Sequence, residues 1–118
     1  MWEVEYTDEF GTWWGSLRPE DQDRVAAAVE LLEAAGPSLG RPLVDTITAS
    51  SHANMKELRP GSMRVLFAFD PRRAAILLLG GDKSGCWEEW YVDAIPEADR
   101  LYDGHLKSLL EEGSTDDE

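Results

Sequence analysis

Two arginines, Arg59 and Arg64, bracket the short segment Pro60-Gly61-Ser62, and Glu57 stands two residues before the first of them. If Pro60–Met63 closes a hairpin, Arg59 lies opposite Arg64. Alternation then puts Met55, Glu57 and Arg59 on one face with Arg64, Leu66 and Ala68. Guanidinium groups gathered in this way suit phosphate, because each presents paired N–H donors that grip two oxygens at once. Directly opposed like charges repel, so the pair costs stability unless an anion sits between them. Glu57 could be that anion as a counter-ion, or it could accept a proton as a general base. Lys56 falls on the other face by strict alternation, with Leu58, Met63, Val65, Phe67 and Phe69, although its long stem could carry the ammonium to the rim.

Further along the chain, Lys83 follows Gly80-Gly81-Asp82, which reads as a flexible loop from which an ammonium could reach a phosphate or a leaving oxygen. The run is not a P-loop, since the frame G-x-x-x-x-G-K followed by Ser or Thr is absent. Trp90 and Tyr91 could stack on a splayed base, the alternative being that one of them is core. Arg73 closes the turn Asp70–Arg73 and is either a contact to the same ligand or a solvated turn cation. His52 and His105 are far apart with no ligand pattern beside them, so no metal is expected. Cys86 is the single cysteine, without a disulfide partner or an activating neighbour.

The elements that must carry these groups can be read in outline. Trp2, Val4 and Tyr6 alternate with Glu3 and Glu5, as in a half-buried strand. Thr7-Asp8-Glu9 offers a helix start, and Phe10, Trp13, Trp14 and Leu17 share one helical face. Pro19 suits the first turn of a second helix, with Val25, Ala28, Val29 and Leu32 along its apolar side and Gly36-Pro37 as its end. Residues 37–53 show no period, and a loop of that length suggests a hidden short strand or turn. Three strands follow, Asn54–Arg59, Met63–Phe69 and Ala74–Gly80, with Ile76–Leu79 apolar on both faces and therefore central. Pro96 is expected to open a last helix carrying Ala98, Leu101, Tyr102, His105 and Leu109 on one side. The fold class is α+β, with two N-terminal helices and a C-terminal helix packed on an antiparallel sheet. Residues 1–110 form one domain, and 111–118 form an acidic tail expected to be disordered.

The totals set bounds. With 118 residues the chain fits one domain. It has no apolar run approaching the roughly 20 residues of a membrane span, and no secretory signal is recognisable, so a cytoplasmic location is expected. The net charge of −13 should repel nucleic acid if it were evenly spread. It is segregated instead. Residues 1–51 hold 10 acids and 3 bases, residues 84–118 hold 11 and 2, and residues 52–83 hold 3 acids against 6 bases.

The ordered runs Asn54-Met55-Lys56-Glu57-Leu58-Arg59, Met63-Arg64-Val65-Leu66-Phe67-Ala68-Phe69-Asp70 and Leu77-Leu78-Leu79-Gly80-Gly81-Asp82-Lys83 resemble the HigB-like branch of the RelE/ParE toxin superfamily. Val29-Glu30-Leu31-Leu32-Glu33, Gly40-Arg41-Pro42 and Ile95-Pro96-Glu97-Ala98-Asp99-Arg100-Leu101-Tyr102 fit the same branch. The resemblance implies the toxin of a type II toxin–antitoxin pair, which cleaves messenger RNA, usually on the ribosome, and is silenced by a helix-turn-helix antitoxin of the HigA type. It implies no cofactor, no membrane and no DNA binding by the toxin itself. Arg64 matches the arginine that binds the scissile phosphate, Arg59 the one ending the preceding strand, and Lys83 the basic position after the last core strand. RNA brings its own nucleophile: a 2′-hydroxyl attacks the adjacent phosphate, leaving a cyclic phosphate and a 5′-hydroxyl, so the protein must orient, neutralise charge and manage protons. The rival reading is a toxin-fold protein with weak or lost activity that binds a helix-turn-helix partner. An acidic mimic of nucleic acid is a third, opposed by the positive middle segment.

Overall fold

The computed structural model describes residues 1–82 and 87–116, the side chains of 87 and 113–116 excepted. Strand β1 (Val4–Tyr6) leads into helix α1 (Asp8–Ser16), and the side chain of Thr7 makes the junction. Its hydroxyl accepts the amide of Phe10 at 3.0 Å and donates to the carbonyl of Leu78 at 2.7 Å, so one residue caps a helix and ties it to the sheet. Helix α2 (Pro19–Ala35) starts on Pro19, whose missing N–H is no loss in a first turn. It ends at Gly36, whose φ of 58° a side chain would strain, and where a Cβ would meet the Trp2 indole at 2.3 Å. Five strands in the order β1-β5-β4-β3-β2 make the sheet, with β2 (Val44–Thr46), β3 (Met55–Leu58), β4 (Met63–Phe69) and β5 (Ala75–Asp82). The sheet is antiparallel apart from the β1–β5 pair, which is parallel. Strand β2 is the element hidden in the periodless stretch.

Helices cover both faces. On one, α1 and α2 bury Phe10, Val25, Ala28 and Leu32 against Leu58, Met63, Val65, Phe67 and Leu77. On the other, α3 (Trp87–Asp116) sets Ala94, Ile95, Ala98 and Tyr102 on Met55, Leu66, Ala68, Ile76 and Leu78. Strands β4 and β5, buried on both sides, are apolar almost throughout, as such strands must be.

Three expectations are corrected. Helix α3 begins at Trp87, nine residues before Pro96, which lies inside it; the lost N–H costs one helical hydrogen bond, and the apolar stripe on either side of the proline outweighs it. Gly80, Gly81 and Asp82 belong to strand β5 rather than to a loop. The last helix also runs past residue 110 to Asp116, into the stretch expected as a disordered tail. Among the described residues no helix is long and apolar enough to cross a membrane.

Candidate functional site

The site grows from a register. Leu58 pairs with Val65 and Glu57 with Leu66, so Arg59, one residue beyond β3, comes opposite Arg64, as the turn chemistry of Pro60–Met63 requires. On β5 a shift at Leu66/Phe67 leaves Leu78 without a partner: Leu79 faces Leu66 and Leu77 faces Phe67. Such a bulge flips the alternation beyond it. Gly80 therefore lies under Trp13 of α1 on one face, and Gly81, paired with Arg64, lies under Trp90 of α3 on the other. A Cβ would come 2.2 Å from the first indole and 2.3 Å from the second. The two glycines are seats for two tryptophans. Gly81→Ala is expected to cost about 1–3 kcal/mol, because a rigid indole must move, measurable as a lower denaturant midpoint at unchanged slope.

At the centre is Glu57, only 4% exposed. Its Oε2 accepts Arg59 Nε at 3.0 Å and Nη2 at 2.8 Å. Its Oε1 accepts the phenol of Tyr91 and lies 3.9 Å from Arg64 Nε. Both oxygens are thus engaged, and the carboxylate lies between the two arginines. The bond to Glu57, with the charges of Glu57 and Asp45, strengthens Arg59's hold on its proton against the effect of burial. Burial first, then the bonded carboxylate, pushes Tyr91 up to about 12, so the phenol stays protonated near neutrality. Arg64 donates Nη1 to the carbonyls of Gly61 (3.0 Å) and Met63 (2.7 Å), and its side chain is 11% exposed. Arg59 is the more open of the two at 32%.

The face that carries the two arginines is partly roofed, because α3 starts early enough for Trp90 and Tyr91 to pack over it. These two rings meet edge to face at 5.0 Å. Lys56 is on the opposite face, next to the core, with Nζ 3.5 Å from Thr46 Oγ1 at the sheet edge. Arg73 is not with the others. It sits at the far end of β4, about 20 Å away at the rise of an extended strand, with a φ of 69° and its guanidinium 4.5 Å above the Trp2 ring. Lys83 lies outside the described residues. Sequence reasoning missed Asp45, on β2 directly across from Glu57. Its Oδ2 takes Arg59 Nη2 at 3.2 Å and its Oδ1 takes Arg41 Nε at 3.2 Å. The Arg41 bond and the Thr46 amide hold its carboxyl below the usual range. Nothing in a three-residue strand signals such a residue. Among the described residues no group of His, Cys, Asp and Glu could hold a metal ion.

Residues 12–103 match the family described as Phage derived protein Gp49-like. Two Mycobacterium tuberculosis proteins are similar. The one named "Putative toxin HigB2" is 49% identical over 104 residues, which is 84% of this chain and 52% of that protein. The one named "Putative toxin HigB3" is 52% identical over 98 residues, or 81% of this chain and 86% of that protein. The chain thus spans about half the length of the first relative. In fold it is similar to RelE in a RelE–RelB complex from Pyrococcus horikoshii, at a TM-score of 0.57 and 16% identity, covering 72% of this chain and 98% of the other. The RelB–RelE complex from Methanococcus jannaschii gives 0.58 at 10% identity, covering 74% and 99%. At those identities the likeness is one of fold alone.

Proposed function

The chain belongs to the Gp49-like, HigB-type family, and from that premise we propose that it is the toxin of a toxin–antitoxin pair and cleaves messenger RNA without a metal. The observation that carries the reading is the placement of Arg59 and Arg64 side by side at one end of the sheet, in the one positive third of a chain of net charge −13. A phosphodiester settling there would meet Arg59, whose Nε and Nη2 are held by carboxylates while Nη1 has no protein partner among the described residues. Arg64 lends positive charge from beneath. The two together would neutralise the extra charge that develops on phosphorus as the ribose 2′-hydroxyl attacks in line. Trp90 or Tyr91 offers a ring for a splayed base. Glu57 acts as counter-ion, so the proton of the 2′-hydroxyl passes to a solvent water, and Lys83 remains the candidate to protonate the departing 5′-oxygen. The natural partner is an antitoxin, of helix-turn-helix type by the resemblance; ribosome-bound message is the substrate that the same resemblance implies.

A specific observation favours the second reading, a toxin-fold protein that binds a partner without cutting RNA: Arg64 is nine-tenths buried and spends Nη1 on backbone carbonyls. One experiment separates the two. The protein is induced in a bacterial host alone and with the product of the adjacent reading frame, and growth and RNA ends are followed. Wild type is expected to arrest growth and cut message, with cleavage falling about 100-fold or more in Arg64→Ala. Wild type that neither arrests growth nor cuts RNA sinks the nuclease; cutting that persists undiminished in Arg64→Ala removes that residue from the chemistry.

A further inference from the structure

Two carboxylates face each other across strands β2 and β3, Asp45 and Glu57. Directly opposed like charges are unfavourable unless a cation lies between them. Arg59 is that cation, with Nη2 shared between Glu57 Oε2 at 2.8 Å and Asp45 Oδ2 at 3.2 Å. The two acids are not equivalent. Glu57 is buried under Tyr91 and Arg64, and Arg59 reaches it through two nitrogens. Asp45 is at the rim, 23% exposed, on an outermost strand, and reaches Arg59 through one. Of the two carboxylates on Arg59, Asp45 is the one that solvent reaches.

Resting on the RNA reading above, we propose that Asp45 is an electrostatic gate that sets how tightly Arg59 can hold an RNA phosphate. The buried acid keeps the guanidinium in place. The rim acid competes with the incoming phosphodiester for the same charge and repels it at short range. Arg41, the other partner of Asp45, is 78% exposed and offsets only part of that repulsion through solvent. Removing the rim charge while keeping the acceptor for the Thr46 amide (2.9 Å) and for Arg41 leaves the strand intact and Arg59 still anchored on Glu57.

The test is equilibrium binding of a short, uncleavable 2′-O-methyl RNA oligonucleotide to the full chain over a range of salt, with D45N, D45S, R59A and the D45N/R59A double variant. D45N and D45S are expected to bind about tenfold tighter than wild type near physiological salt. The slope of log affinity against log salt should steepen by about 1, a change that a merely structural substitution would not produce. The gain should vanish in the R59A background. Thermal melts report whether each variant is folded, and D45S stands in if D45N is not. RNA that binds wild type, with D45N and D45S no tighter or with a gain that survives R59A, overturns the gate and leaves the RNA reading standing. RNA that binds neither wild type nor the Asp45 variants overturns the gate, while the nuclease reading stands or falls on the RNA ends of induced cells.

Discussion

Replacing Glu57 with alanine is expected to remove about 3–5 kcal/mol of folding free energy and to lower the melting temperature by roughly 10–25 °C. Both arginines of the hairpin lie against Glu57, which also accepts the Tyr91 phenol from α3. Without it Arg59 keeps only one of the two carboxylates described on it, Asp45, and Arg64, whose side chain is 11% exposed, loses the carboxylate 3.9 Å from its Nε. Removing one partner of a buried ion pair is costly for that reason, even where the intact pair contributes little. Denaturant unfolding measures the loss, and a cost under about 1 kcal/mol would mean that the arginines are held by something else. Glu57→Gln separates structure from chemistry. As a counter-ion, Glu57 can be exchanged for glutamine with cleavage kept within about tenfold and the acid limb of the pH–rate profile in place; a general base would lose about 100-fold or more, together with that limb.

Asp70→Ala carries the second large effect, also about 3–5 kcal/mol. Asp70 directly follows β4, and no part of its side chain is exposed. Its Oδ1 takes the amides of Arg72 (2.9 Å) and Ala74 (3.1 Å), which builds the turn into β5. Its Oδ2 takes Arg72 Nη2 at 2.7 Å and His105 Nε2 at 2.8 Å, which fastens α3 to that turn. Burial alone would raise its pKa, but the bonds from His105, Arg72 and the Ala74 amide outweigh burial and hold the carboxyl below its ordinary range. A folded-state pKa below the unfolded one means that the unfolded chain binds the proton more readily. The stability that Asp70 contributes is therefore complete above about pH 5 and drains away as acid titrates the folded carboxyl below about pH 4. Wild type should lose stability steeply in that window, and Asp70→Asn, less stable throughout, should do so less steeply. Asp45 and Asp99, also shifted downward, keep some acid dependence in the variant. Parallel acid limbs for the two proteins would rule out Asp70 as a source.

Much of this was legible because local chemistry decided it. Thr7 caps α1, Pro19 opens α2 and Gly36 closes it where the residue types required, and the turn at Pro60–Met63 fixed a register that brought Arg59 to Arg64. What escaped was decided by tertiary packing. Pro96 reads as a first-turn proline because that is where proline is cheapest. The signal against that reading was present: Trp90, Tyr91, Ala94, Ile95, Ala98 and Tyr102 keep one helical stripe running through the proline. The bulge at Leu78 has no local signature, since Leu77, Leu78 and Leu79 suit either register, yet it decides which face Gly81 presents. Within the site, the grouping of Arg59, Arg64 and Glu57 was readable from alternation. Asp45 was beyond reach, because only the pairing of β2 with β3 brings it to Arg59.

The outermost strands on both sides of the sheet, β1 and β2, are three residues long, and each has a carboxylate at its middle position, Glu5 and Asp45. So short a margin leaves little backbone for a foreign chain to zip along, and a charged side chain on each edge strand discourages it further. Stacking of one molecule's sheet onto another's is thereby discouraged at both ends. A protein that must bind this one gains more by gripping its helical faces than by adding a strand.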